Sequence, residues 1–191
     1  MESVTLIFKT LLLDKASIQQ LSLPKSNWKW HSFIITILLG LFYGFTAINI
    51  NKEIITSFET PMLRDLVIPG LFLFFGYLMM LITKVGLTLL LWAGSKGLGG
   101  GGYLGLLYRN TTIALIPSVI ALPAFISLQV GTSPSTLMIV SIIIAILWIY
   151  LVSVKIVETV QQFAQWKAYI AVLLAFIFFM SIYYMILPPP A

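Results

Sequence analysis

The sequence predicts an all-α integral membrane protein with five transmembrane helices and an amphipathic N-terminal helix at the membrane interface. Of the 191 residues, 60% are hydrophobic and only 9% are charged, and the mean hydropathy is +1.04. A soluble domain carries about 25% charged residues, so this chain has too little charge for a soluble surface. Residues 1–191 are predicted to form a single membrane domain.

Five apolar segments predict the five spans. A helix that crosses a bilayer needs about 20 mostly apolar residues. The predicted spans cover residues 33–50, 66–92, 111–130, 137–154 and 168–187. Residues 1–32 precede them, and they have neither the basic start nor the small-residue cleavage site of a signal peptide.

The distribution of Lys and Arg predicts the orientation. Of the 11 basic residues, eight fall on one side of this topology, two on the other and one inside a span. The positive-inside rule then places residues 1–32 in the cytoplasm and the C-terminus outside. All five tryptophans fall at the same predicted cytoplasmic interface, where this residue type is enriched. They are Trp28, Trp30, Trp92, Trp148 and Trp166. We expect a multi-pass protein of a prokaryotic plasma membrane.

The N-terminal segment has apolar residues on one helical face. Val4, Ile7, Phe8 and Leu11 share this face. The pattern is typical of a helix that lies along the cytoplasmic leaflet, or of a helix packed under the bundle as ordinary core.

Several classes of chemistry are excluded. The chain has no cysteine and one histidine, which leaves no thiolate or paired-histidine metal site. His31 has no carboxylate nearby in the sequence, and no paired carboxylates suggest acid–base catalysis. We therefore expect no enzyme activity, no cofactor and no metal. We attribute the net charge of +5 to basic residues that set the orientation in the membrane, rather than to a nucleic-acid-binding surface.

Lys84 is the most unusual residue, because it interrupts the second span. It precedes Trp92 by eight residues, which places it roughly 12 Å into the membrane. Ionisable residues inside spans are functional candidates by default. The alternative is a structural lysine that is satisfied by a carbonyl or a water, and Thr83 and Thr88 could partner Lys84 in either case.

Two further features concern helix geometry. Pro117 and Pro123 fall inside the third span, where each removes a backbone donor and predicts a kink. Gly40 and Gly44 form a GxxxG pair, which permits close helix contact or homo-oligomerisation.

A glycine-rich run separates the second and third spans. It includes Gly99, Gly100, Gly101 and Gly102. Because its lysine precedes the glycines, it is not a phosphate-binding Walker loop. The run is a flexible cytoplasmic hinge, a stretch of backbone that needs positive φ angles or, with Tyr103 and Arg109, an interaction loop.

Three stretches of the sequence carry a family resemblance, namely residues 8–15, residues 99–109 continuing to 114–117, and residues 163–168. They resemble the prokaryotic branch of the Yip family (Ypt- or Rab-interacting membrane proteins). The resemblance implies a five-span, non-enzymatic membrane protein, and some such proteins support ABC exporters or stress resistance. The Asp-Leu-Tyr-Gly-Pro motif and acidic tail of eukaryotic members are missing here, so Rab binding is not expected.

Three functions follow as hypotheses. The leading one is a Yip-type protein that interacts with the lipid bilayer and with a membrane-protein partner, such as an ABC exporter. The second is a small permease or lipid-handling protein with a polar path at Lys84 and the Pro117–Pro123 kink. The third is a membrane-shaping protein that uses its N-terminal helix.

Overall fold

The computed structural model describes residues 2–23, 27–131, 133 and 135–186, and within them every regular element is helical. The helices are α1 (Glu2–Leu11), α2 (Lys15–Leu21), α3 (Trp28–Ile50), α4 (Lys52–Thr56), a short π-helix (Leu63–Val67), α5 (Ile68–Gly97), α6 (Leu104–Leu115), α7 (Ser118–Gln129), α8 (Thr136–Val160) and α9 (Gln165–Ile186). The all-helical prediction is confirmed for this part of the chain.

Four to five apolar helical units have the length and composition of membrane spans, as in a multi-pass membrane protein. Four of the predicted segments fall in single long helices, namely α3, α5 with its π-helix, α8 and α9. The third predicted span is divided between α6 and α7, which are bent by 77° and qualify only as a pair. With this bent pair taken as one span, the candidate spans number five.

Pro117 explains the position of the bend. It lacks the N–H that would continue the α6 ladder, and the N–H of Ile116 instead donates to the carbonyl of Ile113 at 3.1 Å. Pro123 lies inside α7, which continues through it to Gln129. Of the two kinks predicted, only the one at Pro117 separates two helices.

Glycines bring α3 and α5 into close antiparallel contact. A Cβ atom added to Gly40 would lie 2.6 Å from the Cα of Tyr77, and one added to Gly76 would lie 2.6 Å from the N of Gly44. The GxxxG pair of α3 is therefore used within the chain. Homo-oligomerisation, which the sequence also allowed, stays a prediction.

One end of the bundle carries the N-terminal helices and the glycine-rich loop, and we call it the basic end. Lys15 forms an ion pair with Glu158 near the end of α8, at 2.5 Å. The indole Nε1 of Trp148 donates to the carbonyl of Leu11 at 2.9 Å. These contacts hold the turn between α1 and α2 against α8.

The N-terminal helix packs against the bundle along part of its surface, which is one of the two alternatives predicted for it. Leu6, Ile7 and Leu11 pack against a buried cluster that contains Trp28, so α1 is attached to the bundle. Val4 and Phe8, which the sequence places on the same face, are exposed. An interfacial position for this exposed strip remains a prediction.

Candidate functional site

Lys84 lies at the centre of a polar cluster between α3, α5 and α6. Its side chain is only 2% exposed. The ammonium Nζ donates to Oγ of Ser32 at 3.2 Å and to Oγ1 of Thr36 at 3.1 Å. It also lies 4.1 Å from the centroid of the Tyr108 ring, which is a cation–π distance. The lysine is therefore held by neutral groups of two neighbouring helices.

The hydroxyl groups around Lys84 can all be satisfied while it is charged. Thr36 Oγ1 donates to the carbonyl of Ser32 at 2.7 Å, and Ser32 Oγ donates to the carbonyl of Arg109 at 3.0 Å. Thr112 Oγ1 lies 2.8 Å from Ser32 Oγ and can donate to it. With each hydroxyl proton used in this way, the lone pairs of Ser32 and Thr36 are free to accept from the ammonium.

The register of α3 against α5 determines which residues meet Lys84. Gly40 lies against Tyr77, and the antiparallel course of the two helices carries Lys84 to the Ser32–Thr36 turn. Ser32 and Thr36 follow Trp28, the first residue of α3, by four and eight positions, which is about 6 and 12 Å along the axis. The ammonium therefore lies between Ser32 and Thr36, beside the residue where the sequence predicts the first span to begin.

A cavity of about 520 Å³ opens beside this cluster. Its lining consists of Lys29, Trp30, Phe33, Lys84, Gly105, Tyr108 and Arg109. Three of these side chains are cationic, and none is acidic. The lining residues come from the first turns of α3, the middle of α5 and the first half of α6.

The carboxylates with described ion pairs lie elsewhere. Within the described part of the chain, Glu158 pairs with Lys15 and Lys155, and Asp65 pairs with Arg64. None of these pairs involves a cation of the cavity. The cavity is consequently a concentration of positive charge without a carboxylate partner among the described side chains.

The structure does not assemble all the residues that the sequence grouped with Lys84. Thr88 is close, but its hydroxyl donates to the backbone carbonyl of Lys84 at 2.7 Å rather than meeting the ammonium. Thr83 lines a second, smaller apolar cavity with Ser118 and Leu122. Neither Pro117 nor Pro123 lines either cavity. Of the described residues, none lines both of these cavities, and the polar path hypothesised from the sequence stays a prediction.

The glycine-rich loop begins with a helix-ending motif at the C-terminus of α5. Gly99 has φ +87°. The N–H of Gly100 donates to the carbonyl of Ser95 at 2.9 Å, and that of Gly99 donates to the carbonyl of Lys96 at 3.1 Å. These are the two bonds of a Schellman motif, with glycine in the left-handed position that it favours. A Cβ on Gly100 would lie 2.9 Å from the Ser95 carbonyl oxygen.

Three elements hold the rest of the loop in place. The N–H of Gly102 donates to Oε1 of Gln161 at 2.8 Å, and its carbonyl accepts from Nε1 of Trp92 at 3.2 Å. Nζ of Lys167 donates to the carbonyl of Leu98 at 3.4 Å. Gly102 itself has φ +77°. Positive φ angles are therefore present at Gly99 and Gly102, and the hydrogen bonds tie the loop to α5, to the residue that caps the end of α8 and to α9.

The two residues that the sequence grouped with the glycine-rich loop lie in different places. Tyr103 is 49% exposed beside the loop, whereas Arg109 lies further along α6 and lines the cationic cavity. Gly101 is exposed, and the nearest atoms to a Cβ there would be those of the Tyr103 ring. The loop and the Lys84 cavity are thus neighbouring but separate features.

Sequence reasoning missed the hydroxyl partners of Lys84. Ser32, Thr36 and Thr112 are ordinary residues in apolar helices, and their role depends on helix register. Their spacing offered a weak signal, since Ser32 and Thr36 lie four residues apart on one face of α3. Lys29 and Tyr108 had no signal beyond their residue type.

No family model, curated protein or solved structure matches the chain. The resemblance to the Yip family therefore contributes an expectation, and the function has to be argued from the geometry described above.

Proposed function

We propose that this chain is a non-enzymatic integral membrane protein of Yip type that acts by contact with another membrane protein, such as a subunit of an ABC exporter. The observation that carries the proposal is the glycine-rich loop, which is tied to three helices while Tyr103 beside it stays exposed. A loop that is already ordered loses little conformational entropy on binding. It therefore suits a recognition surface.

The proposed placement in the membrane follows the charge distribution. We place the basic end in the cytoplasm of a prokaryotic cell and α6–α7 as the third of five spans, with the C-terminus outside. Trp92 and Trp148 support this placement, because both make contacts at the basic end. Trp92 contacts the glycine-rich loop, and Trp148 contacts the turn between α1 and α2. The partner would then meet Tyr103 at the cytoplasmic face.

Site-specific photo-cross-linking in intact cells tests the proposal. A benzophenone amino acid at Tyr103 is expected to capture one membrane protein, identified by mass spectrometry. The same group at Leu137, which is exposed at the start of α8, is the position control. Equal capture of one set of proteins at both positions, or lipid adducts alone at Tyr103, would contradict the proposal.

A pair of glycine variants tests whether the partner recognises the backbone shape of the loop. Gly99→Ala cannot keep φ +87° without strain, whereas Gly97→Ala adds a methyl group to a helical position with open space around it. We expect the Tyr103 adduct to be lost in Gly99→Ala and retained in Gly97→Ala. Retention in both variants would mean that the ordered loop is not what the partner recognises.

Lipid handling is a second candidate, and the cationic cavity favours it. The cavity holds the Lys84 ammonium beside exposed aromatic residues, as a site for an anionic amphiphile would. Flux of a labelled anionic lipid in liposomes is expected with wild-type protein and not with folded Lys84→Met. Unchanged flux in the variant would remove Lys84 from any such mechanism.

A further inference from the structure

We infer that the cavity lined by Lys29, Lys84 and Arg109 is a binding site for the phosphate group of an anionic membrane lipid. This inference gives the lipid-handling candidate a ligand class. It does not require that the lipid is transported, because a lipid can occupy the site without crossing the membrane. It is independent of the contact proposed for Tyr103.

The first argument is charge. Each of the three cations comes from a different helix, and all line one cavity of about 520 Å³. A buried ammonium without a counter-charge is costly, and the partners of Lys84 are two hydroxyls and an aromatic ring. An anion in the cavity would supply the missing counter-charge.

The second argument is that the three cations differ in solvent exposure. Lys29 is exposed, Arg109 is half-buried and Lys84 is buried. Arg109 and Lys29 are therefore available to donate to phosphate oxygens, and guanidinium groups fit phosphate geometry well. Lys84, already held by Ser32 and Thr36, would contribute positive potential from the floor of the cavity.

The third argument identifies a lipid as the source of the phosphate. Trp30 is 68% exposed and Phe33 is 49% exposed, and both line the cavity. Trp30 precedes the apolar part of α3, where tryptophan prefers the boundary between headgroups and acyl chains. A cationic pocket between helices at this level is suited to an anionic headgroup. Trp30 and Phe33, which we call the aromatic rim, would then lie beside the glycerol and the upper acyl chain.

Lipid retention measured by native mass spectrometry tests the inference. Full-length protein is reconstituted into nanodiscs that contain equal amounts of phosphatidylglycerol and phosphatidylcholine, and is then released into mild detergent. We expect wild-type protein to retain phosphatidylglycerol preferentially. Each of Arg109→Gln and Lys29→Gln should lower this retention by about fivefold or more, because each removes a charged donor to the phosphate oxygens.

The matched control removes the same charge outside the cavity. Lys9 is exposed on α1, which packs beside the start of α3, and Lys9→Gln should leave retention unchanged. An equal loss in Lys9→Gln would overturn the inference, since it would mean that net charge alone attracts the lipid. Equal retention of the two lipids by wild-type protein would overturn it as well.

A competition arm distinguishes the two sources of phosphate. Millimolar inorganic phosphate should not displace retained phosphatidylglycerol, because it makes no use of the aromatic rim. Displacement would overturn the lipid assignment in favour of a soluble phosphate compound. Selective retention without any flux in liposomes would support the site while rejecting lipid transport, so the two proposals fail separately.

Discussion

The ammonium of Lys84 donates to the hydroxyl of Thr36 across the α3–α5 contact, at a distance of 3.1 Å. The same hydroxyl donates to the carbonyl of Ser32 one turn earlier. Thr36 thus connects the buried charge on α5 to the backbone of α3. The bond is possible because glycines let the two helices approach closely.

Thr36→Val should reveal that connection as an energetic coupling. The variant removes one acceptor from a buried ammonium, which is expected to cost about 1–3 kcal/mol of unfolding free energy. In a Lys84→Met background the same change should cost much less, because no charge remains to be satisfied. Reversible unfolding of the four proteins in mild detergent gives the coupling.

Thr46→Val is the control for this cycle. Thr46 lies on the same helix and makes the same type of bond, to the carbonyl of Phe42 at 2.8 Å. It should show no coupling with Lys84→Met. Additive effects for Thr36 and Lys84 would contradict the described network.

Gly76→Ala should destabilise the protein by forcing α3 and α5 apart. The added Cβ would lie 2.6 Å from the N of Gly44 and 2.7 Å from the carbonyl oxygen of Gly40. Because both atoms are backbone, we expect a loss of roughly 1–3 kcal/mol and a lower melting temperature. Gly70→Ala, with nothing within 4 Å of its Cβ, should be neutral or slightly stabilising. Similar melting temperatures for the two variants would be incompatible with close glycine packing.

Glu158→Gln should loosen the N-terminal helices. The carboxylate is 7% exposed and pairs with Lys15 at 2.5 Å and Lys155 at 3.1 Å. Since Lys15 is nearly half exposed, we expect a modest loss of about 1–2 kcal/mol. Faster amide exchange in α2 is the readout. Asp65→Asn, which removes an exposed ion pair, should leave exchange in α2 unchanged, and identical exchange in the two variants would refute the role of Glu158.

The cap of α2 should respond to acid. The Ser17 hydroxyl, with the backbone N–H groups of Ser17 and Ala16, lowers the pKa of Asp14 below its ordinary value. A lowered folded-state pKa means that the stabilisation is complete above the ordinary carboxyl pKa of about 4 and is lost as pH falls through the folded value. The protection of the α2 amides, after correction for the intrinsic exchange rate at each pH, should therefore fall below about pH 4. Asp14→Asn keeps an acceptor but cannot titrate, so an identical acid response in that variant would contradict this origin.

The sequence predicted those features that depend on one segment alone. The apolar segments and the break at Pro117 follow from local composition or backbone chemistry, and positive φ angles in the glycine-rich run were one of the alternatives that the sequence left open. Lys84 was identifiable because a charge inside an apolar helix has few explanations. The predicted orientation in a membrane and the resemblance to a family stay predictions.

The features that the sequence did not predict depend on how helices meet. Ser32 and Thr36 become partners of Lys84 only through the α3–α5 register, which no single segment encodes. Arg109 was grouped with the glycine-rich loop by proximity in the sequence, but α6 directs it to the cavity instead.

The most direct test of the central claim is an experimental structure, at side-chain resolution, of the protein in a bilayer that contains phosphatidylglycerol. The account predicts a phosphate group in the cavity, within hydrogen-bond distance of Arg109 or Lys29 and on the open side of Lys84. A cavity filled by the chain's own side chains, or occupied only by acyl chain or a zwitterionic headgroup, would contradict it.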